Sequence, residues 1–243
     1  MDTLKCNIVA GSISGLCEVL LTHPLDLFKT QAQYHNIRNP VFNTAYFAAY
    51  SRFNDLYVGI RPRILGVVPM RTVFWTTLET TKYILPQDLD PTRKYVIAGL
   101  FAGITQSIVD TPIENLKVKR ITNDISDYRK VRLFNGFGVT MLRNMGFAVV
   151  LNICIHTHND HSDKRVDFIR AGLGAVLGSI LTQPLDYIKT QIQAEQYPSV
   201  PHIIHNISPK TLFTGYITRA SMGFINIGIG YTVFSHMCNL LKQ

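Results

Sequence analysis

The stretch Pro24-Leu25-Asp26-Leu27-Phe28-Lys29-Thr30-Gln31-Ala32-Gln33 decides the fold, because its pattern occurs three times in the chain. Pro112-Ile113-Glu114-Asn115-Leu116-Lys117-Val118-Lys119 and Pro184-Leu185-Asp186-Tyr187-Ile188-Lys189-Thr190-Gln191-Ile192-Gln193 share its form, P-x-[DE]-x-x-K. Working outward, small residues stand 13 and 9 positions before each proline: Gly11 and Gly15, Gly99 and Gly103, Ala171 and Ala175. An aromatic-x-Gly follows each motif, at Tyr57-Val58-Gly59, Phe134-Asn135-Gly136 and Phe213-Thr214-Gly215. Repetition at a fixed period marks a repeat architecture. We read three units, 1–86, 87–162 and 163–243, forming one integrated domain.

Each unit holds two long apolar stretches, one running into the proline motif and one starting at the glycine. The first are about 4–33, 94–121 and 167–194; the second are about 60–82, 137–156 and 216–241. A helix of ~20 residues crosses the roughly 30 Å hydrocarbon layer, so six transmembrane helices are expected. Composition agrees. Only 16% of the 243 residues are charged and 47% are hydrophobic, against about 25% charged in soluble domains. That excludes a disordered chain. The net charge of +8 is spread over three repeats rather than one face, which argues against nucleic-acid binding. Loops after the proline motifs carry seven Lys+Arg against four Asp+Glu, and the opposite loops four against five. That is a slight bias in the positive-inside sense. The four cysteines, Cys6, Cys17, Cys154 and Cys238, show no metal or disulfide spacing. His156, His158 and His161 read as a solvated loop cluster rather than a metal site, and no cofactor is expected.

The threefold P-x-[DE]-x-x-K, with its small-residue pairs and aromatic-x-Gly, resembles the mitochondrial carrier family over nearly the whole chain. The resemblance implies an all-α membrane protein of six transmembrane helices in three pseudo-threefold repeats, with short matrix-side helices. It implies a solute carrier of the mitochondrial inner membrane working by alternating access, not an enzyme. The chain is short for the family. Pro112 and Gly136 are 24 residues apart, against 35 and 31 in the other repeats. Such compactness suits a virus-encoded or otherwise pared-down member, acting in the host's mitochondria if viral.

A proline inside a span removes a backbone hydrogen bond and bends the helix, so Pro24, Pro112 and Pro184 should bend three helices toward one axis. The acid and the lysine of each motif are three residues apart, on one helical face. With threefold repetition, Asp26, Glu114 and Asp186 can meet Lys29, Lys117 and Lys189 of neighbouring helices as a ring of three ion pairs. Each pair is worth between about 1 and 4 kcal/mol at 4 Å, enough to close a matrix-side gate that solute binding reopens. By the resemblance, Gln33 and Gln193 brace that ring. The second repeat has Ile121 at that offset. The family's cytoplasmic-side gate is eroded here. Glu79 and Lys82 remain, while their equivalents are His156 and Asn159, then Ser235 and Cys238. A weak second gate is expected.

The family's main solute contacts fall on Gly66-Val67, Arg143-Asn144 and Met222-Gly223, seven and eight residues past each glycine. Arg143 is the only charge at that level. A lone arginine near mid-membrane needs an anion or a buried partner, and the solute-anchor reading is favoured over structural pairing. Arg63, Val67 and Arg71 share one helical face, and Arg219 is the third-repeat equivalent of Arg63. Arg71 is expected to contact solute. Arg63 and Arg219 divide evenly between lining the cavity and pairing with nearby acids. Glu18 and Asp110 either neutralise these arginines or couple a proton. Several arginines suit a multiply charged anion. Nucleotides or other phosphorylated solutes lead, di- and tricarboxylates and amino acids follow, and a non-transporting or proton-leak protein on this fold is the third reading. The arginine-methionine run of ADP/ATP carriers is absent. The expected partners are a small anionic solute and membrane lipid, with no nucleic acid, and the chain is expected to act as a monomer.

Overall fold

The computed structural model describes residues 3–36, 53–86, 88–122, 132–156, 164–226 and 233. Among them the regular structure is helical, with no strand. Helix α1 is Thr3–Tyr34, α2 Ile60–Ile84, α3 Pro91–Ile121 and α4 Phe137–His156. Helix α5 is Lys164–Leu181, α6 Gln183–Gln193 and α7 Val200–Asn206, and α8 covers 216–226. Short 3-10 turns, Phe53–Tyr57 and Thr211–Phe213, lead into α2 and α8. The last apolar stretch, 216–241, is described to 226; Asn159, Ser235 and Cys238 lie outside the described residues, as does the side chain of His156.

The prolines act differently in the three repeats. Helices α1 and α3 run on through Pro24 and Pro112. At Thr182, two residues before Pro184, the helix breaks, and α5 and α6 meet at 58°. Beside each proline a threonine hydroxyl donates back to its own helix: Thr22 to the Glu18 carbonyl at 2.7 Å, Thr111 to Ser107 at 2.6 Å and Thr182 to Gly178 at 2.7 Å. Such back-bonding occupies carbonyls in the turn that the proline weakens and favours bending.

Polarity is distributed inside out. Ser107, Asp110, Asn115, Lys117 and Asn144 are buried, while Leu65, Phe101, Ile108 and Leu142 are exposed. Ile169, Leu173, Leu177 and Leu181, four apart, form an exposed apolar ridge along α5. A soluble protein does the reverse with its charged residues, whereas a bundle in lipid turns apolar side chains outward and charges inward. Among the described residues, Pro91–Ile121 and Phe137–Cys154 are each long and apolar enough to cross a membrane, and the bent pair Phe168–Leu181 with Gln183–Gln193 is so too when taken as one span. Helix α2 carries Arg61, Arg63, Arg71, Glu79 and Lys82, so its passage depends on facing most of them inward. The protein is an all-α membrane protein.

Neighbouring helices pack in chain order, and α6 closes the circle against α1. Members of the small-residue pairs set close approaches between helices. A Cβ added to Gly103 would lie 2.6 Å from the Met145 backbone, and one at Gly99 would lie 3.2 Å from Ala148. Gly15 faces Val67 and Arg71, and Gly223 faces Ala175. Gly15, Gly99, Gly103 and Ala175 therefore each pack the two helices of their own repeat. The three aromatic-x-Gly glycines take left-handed φ, 82° at Gly59, 73° at Gly136 and 80° at Gly215, a conformation cheap only for glycine. Each sits on the proline-motif helix of the next repeat: Gly59 beside Lys117 and Ile121, Gly136 beside Ile192 and Gln193, Gly215 beside Lys29 and Gln33.

These contacts predict unequal costs. Gly103→Ala, which forces two backbones apart, should lower stability by about 1–3 kcal/mol. Gly138→Ala, whose Cβ meets nothing within 4 Å, should be neutral or slightly stabilising. Thermal unfolding of the detergent-solubilised chain checks both; equal shifts would contradict the packing.

Candidate functional site: a ring of ion pairs under an arginine-lined interior

The three motif acids and three motif lysines meet around one axis. Lys117 Nζ lies 3.0 Å from Asp26, Lys29 Nζ lies 2.5 Å from Asp186, and Lys189 pairs with Glu114. Each lysine thus crosses to a carboxylate of the neighbouring repeat, and all six side chains are buried or nearly so. Motif spacing alone explains this. The acid and the lysine stand three apart on each helix, so a threefold arrangement offers every acid a foreign lysine.

Gln33 braces one ion pair. Its Nε2 donates to Asp186 at 3.0 Å, and its Oε1 accepts from Thr190 at 2.7 Å. Gln193, expected to do the same, does not: its carboxamide is buried and has no hydrogen-bond partner among the described residues. The resemblance placed a glutamine at the right offset, but Gln193 faces Gly136 on the next segment rather than the Lys189–Glu114 pair.

The arginines lie against the ring on its interior side. Arg63 pairs with Asp26, and Arg71 with Glu18, which also accepts from Ser14 at 3.2 Å. Arg219 lies 3.9 Å from Asp186 and donates to Thr182 at 2.7 Å and to the Ser179 carbonyl at 3.2 Å. Arg143 was expected as a lone charge. It is not alone: it lies 2.7 Å from Asp110, 3.1 Å from Asp186 and 3.5 Å from Glu114. Asn144 completes the cluster, accepting from Arg143 Nη2 at 2.7 Å and donating to Asp110 and Ser107, each at 3.0 Å. In this conformation Arg143 has the buried partners that the pairing alternative required. Arg71 is the most open of the four arginines, with 41% of its side chain exposed.

The other expected solute contacts are packing contacts here. Gly66 is buried under Ile113, Val67 packs on Gly15, and Gly223 lies against Ala175 and Ser179, with Met222 buried beside it. At this level the polar groups are Arg143 and Asn144.

The comparisons with known proteins follow this geometry. The family model described as mitochondrial carrier protein matches residues 2–89. The mitochondrial 2-oxodicarboxylate carrier of Pongo abelii is 30% identical over 245 residues, covering 86% of this chain and 81% of that protein. The chain belongs to the mitochondrial carrier family. More widely, it is similar to the probable S-adenosylmethionine carrier 2, chloroplastic, of Arabidopsis thaliana, 27% identical over 98% of this chain and 73% of that one. The mitochondrial glycine transporter of Homo sapiens is 28% identical, over 94% and 87%. This carrier is therefore a membrane transporter.

Glu79 and Lys82 of the carrier, expected as a remnant of a second gate, pair with each other at 2.9 Å, three residues apart on α2. Lys82 also lies over the Tyr95 ring, 5.4 Å from its centroid. The pair is local to α2.

Two further sets were missed. Seven residues past each proline stand Gln31, Lys119 and Gln191. Gln31 donates to the Ile121 carbonyl at 2.6 Å, Lys119 pairs with Glu195 at 2.9 Å, and Gln191 donates to the Gln33 carbonyl at 2.6 Å. They form a second belt between repeats, one turn below the ion pairs, and their common offset was visible in the sequence. The other set holds the residue before each left-handed glycine. His23 Nε2–H donates to the Val58 carbonyl at 3.0 Å, Asn115 to Asn135 at 2.9 Å and Gln183 to Thr214 at 2.6 Å. Their residue types differ, so no motif signals them.

The two glutamines should respond differently. Gln33→Leu leaves Asp186 and Thr190 short of partners and should lower stability by about 1–3 kcal/mol. Gln193→Leu removes an unpaired buried amide and should be neutral or stabilising. Thermal unfolding of the two variants in detergent decides; a larger loss for Gln193→Leu would reverse the assignment.

Proposed function

We propose that this carrier exchanges a small dicarboxylate anion across the mitochondrial inner membrane by alternating access, with the ring of ion pairs as its matrix-side gate. The observation that carries the solute class is the charge balance of the interior. Among the described residues, the ring and the arginines on it bring seven cations, Lys29, Arg63, Arg71, Lys117, Arg143, Lys189 and Arg219, against five carboxylates, Glu18, Asp26, Asp110, Glu114 and Asp186. The excess of two positive charges suits a dianion. A nucleotide triphosphate, the class favoured by the arginines alone, would bring about twice the charge that the interior leaves unbalanced. The similarity to 2-oxodicarboxylate carriers supports the same class.

Physically, a carboxylate arriving at Arg143 competes with Asp110, Glu114 and Asp186 for one guanidinium. Two of those acids belong to the ring. A solute that takes the arginine thereby changes the field at the gate, and differential binding of this kind is what shifts a two-state equilibrium. Arg71 is the candidate for the second carboxylate, since its side chain is the most accessible of the set. Mutual neutralisation of Glu79 and Lys82 on α2 fits a weak cytoplasmic gate.

Reconstituted liposomes loaded with unlabelled 2-oxoglutarate test the reading. The chain should take up labelled 2-oxoglutarate and not ATP or glycine. Uptake of ATP alone would move the assignment to nucleotides, and no exchange of any anion would sink the carrier-of-anions reading. Arg143→Ala should abolish uptake; unchanged uptake would remove Arg143 as the anchor. Replacing Glu79 and Lys82 together by glutamine should leave uptake within about threefold of wild type, because an exposed pair is worth little.

A further inference from the structure

Each carboxylate of the ring is served by two kinds of cation, and these come from different places. The lysines cross between repeats: Lys117 to Asp26, Lys189 to Glu114, Lys29 to Asp186. The arginines come from within the repeat. Arg63 on α2 pairs with Asp26 on α1, both in the first repeat. Arg219 on α8 lies 3.9 Å from Asp186 on α6, both in the third. In the second, Arg143 on α4 lies 3.5 Å from Glu114 and 2.7 Å from Asp110, both on α3, and extends to Asp186 as well. These within-repeat partners ride on helices locked together by the small-residue contacts, Gly15 on Val67, Gly103 on Met145 and Gly223 on Ala175.

We infer that Arg63, Arg143 and Arg219 are resident counter-ions of the ring. When the repeats part on the ring side and the lysines withdraw, each carboxylate keeps an arginine from its own repeat. This rests on the reading of the ring as a gate. The physical need is specific. Breaking a buried ion pair is expensive chiefly because one charge is left buried without a partner. A ring of lysines and acids alone would strand Asp26 and Asp186 on opening and leave Glu114 only Lys117 of its own helix, 4.0 Å away. With an arginine already on each acid, opening exchanges a doubly paired carboxylate for a singly paired one. Arginine suits this role because it stays charged whatever its surroundings and offers several donors from one planar group. The irregular offset follows too. Arg63 and Arg219 stand four residues past their glycines, where the second repeat has Thr140, whose hydroxyl is spent on the Gly136 carbonyl at 3.1 Å. Arg143, about one turn further along α4, takes its place. Arg63 and Arg219 are positioning residues, acting on the solute path through the ring acids, while Arg143, the proposed solute anchor, serves both Glu114 and the solute.

A stability cycle on the full chain in detergent tests this without any solute. Lys117→Ala alone and Arg63→Ala alone should each lower the unfolding midpoint by about 3 °C, since Asp26 keeps one cation in either variant. Together they should lower it by roughly 10 °C or prevent folding, well beyond the sum, because Asp26 is then stranded. Adding Asp26→Asn to the double variant should restore most of the loss. Additive losses, or no recovery with Asp26→Asn, would overturn the inference. A transport arm uses 2-oxoglutarate. Arg63→Gln should cut the maximal exchange rate about tenfold with the half-saturating concentration unchanged, and Arg63→Lys should recover most of it. A raised half-saturating concentration at an unchanged rate would make Arg63 a solute ligand instead and overturn its role here. If the unaltered chain exchanges no 2-oxoglutarate, the dicarboxylate reading fails while the stability cycle still decides the counter-ion question.

Discussion

The structure depends on one constraint: carboxylates held inside a membrane bundle must never lack a cation. Asp26 and Asp186 are almost wholly buried, and leaving either without a partner would cost more than most single contacts in the molecule contribute. The threefold motif answers this by giving each repeat one acid and one lysine, placed so that neither can be neutralised fully at home. Closing the circle of helices is then the way to satisfy the lysines. The bundle closes because its charges require it, and the apolar exterior keeps it in lipid.

Around that constraint the repeats are joined in layers. The left-handed glycines place each repeat's second helix against the first helix of the next. One turn below the ion pairs, Gln31, Lys119 and Gln191 tie the same neighbours again. Above them, the arginines tie each acid to its own repeat. Contacts between repeats also run along the helices: Leu78 and Phe74 on α2 pack on Ala98 and Ala102 of α3, and Gly174 on α5 meets Cys154 on α4.

The motif made much of this legible. Six ring residues, three prolines and three glycines were identifiable by offset alone, because the repetition lets each position be checked twice. The charge at Arg143 was legible, but its surroundings were not. Asp110 and Glu114 stand 33 and 29 residues earlier on another helix, and only packing brings them to one guanidinium. Gln193 shows the opposite failure: the offset was right, but the side chain faces elsewhere. His23, Asn115 and Gln183 share a task without sharing a residue type, so no pattern could have named them.

The sequence by itself determined the family, the threefold plan, the inward-facing charge and the ring partners. These follow from periodicity, which survives any detail of packing. Only the tertiary structure decided which cations share an acid, that α5 and α6 break at Thr182 while α1 and α3 run on, and that the four interior arginines lie beside carboxylates rather than standing as a bare row. Those facts depend on where side chains from distant helices meet. A buried charge is defined by its neighbours, and the order of residues along the chain does not list them.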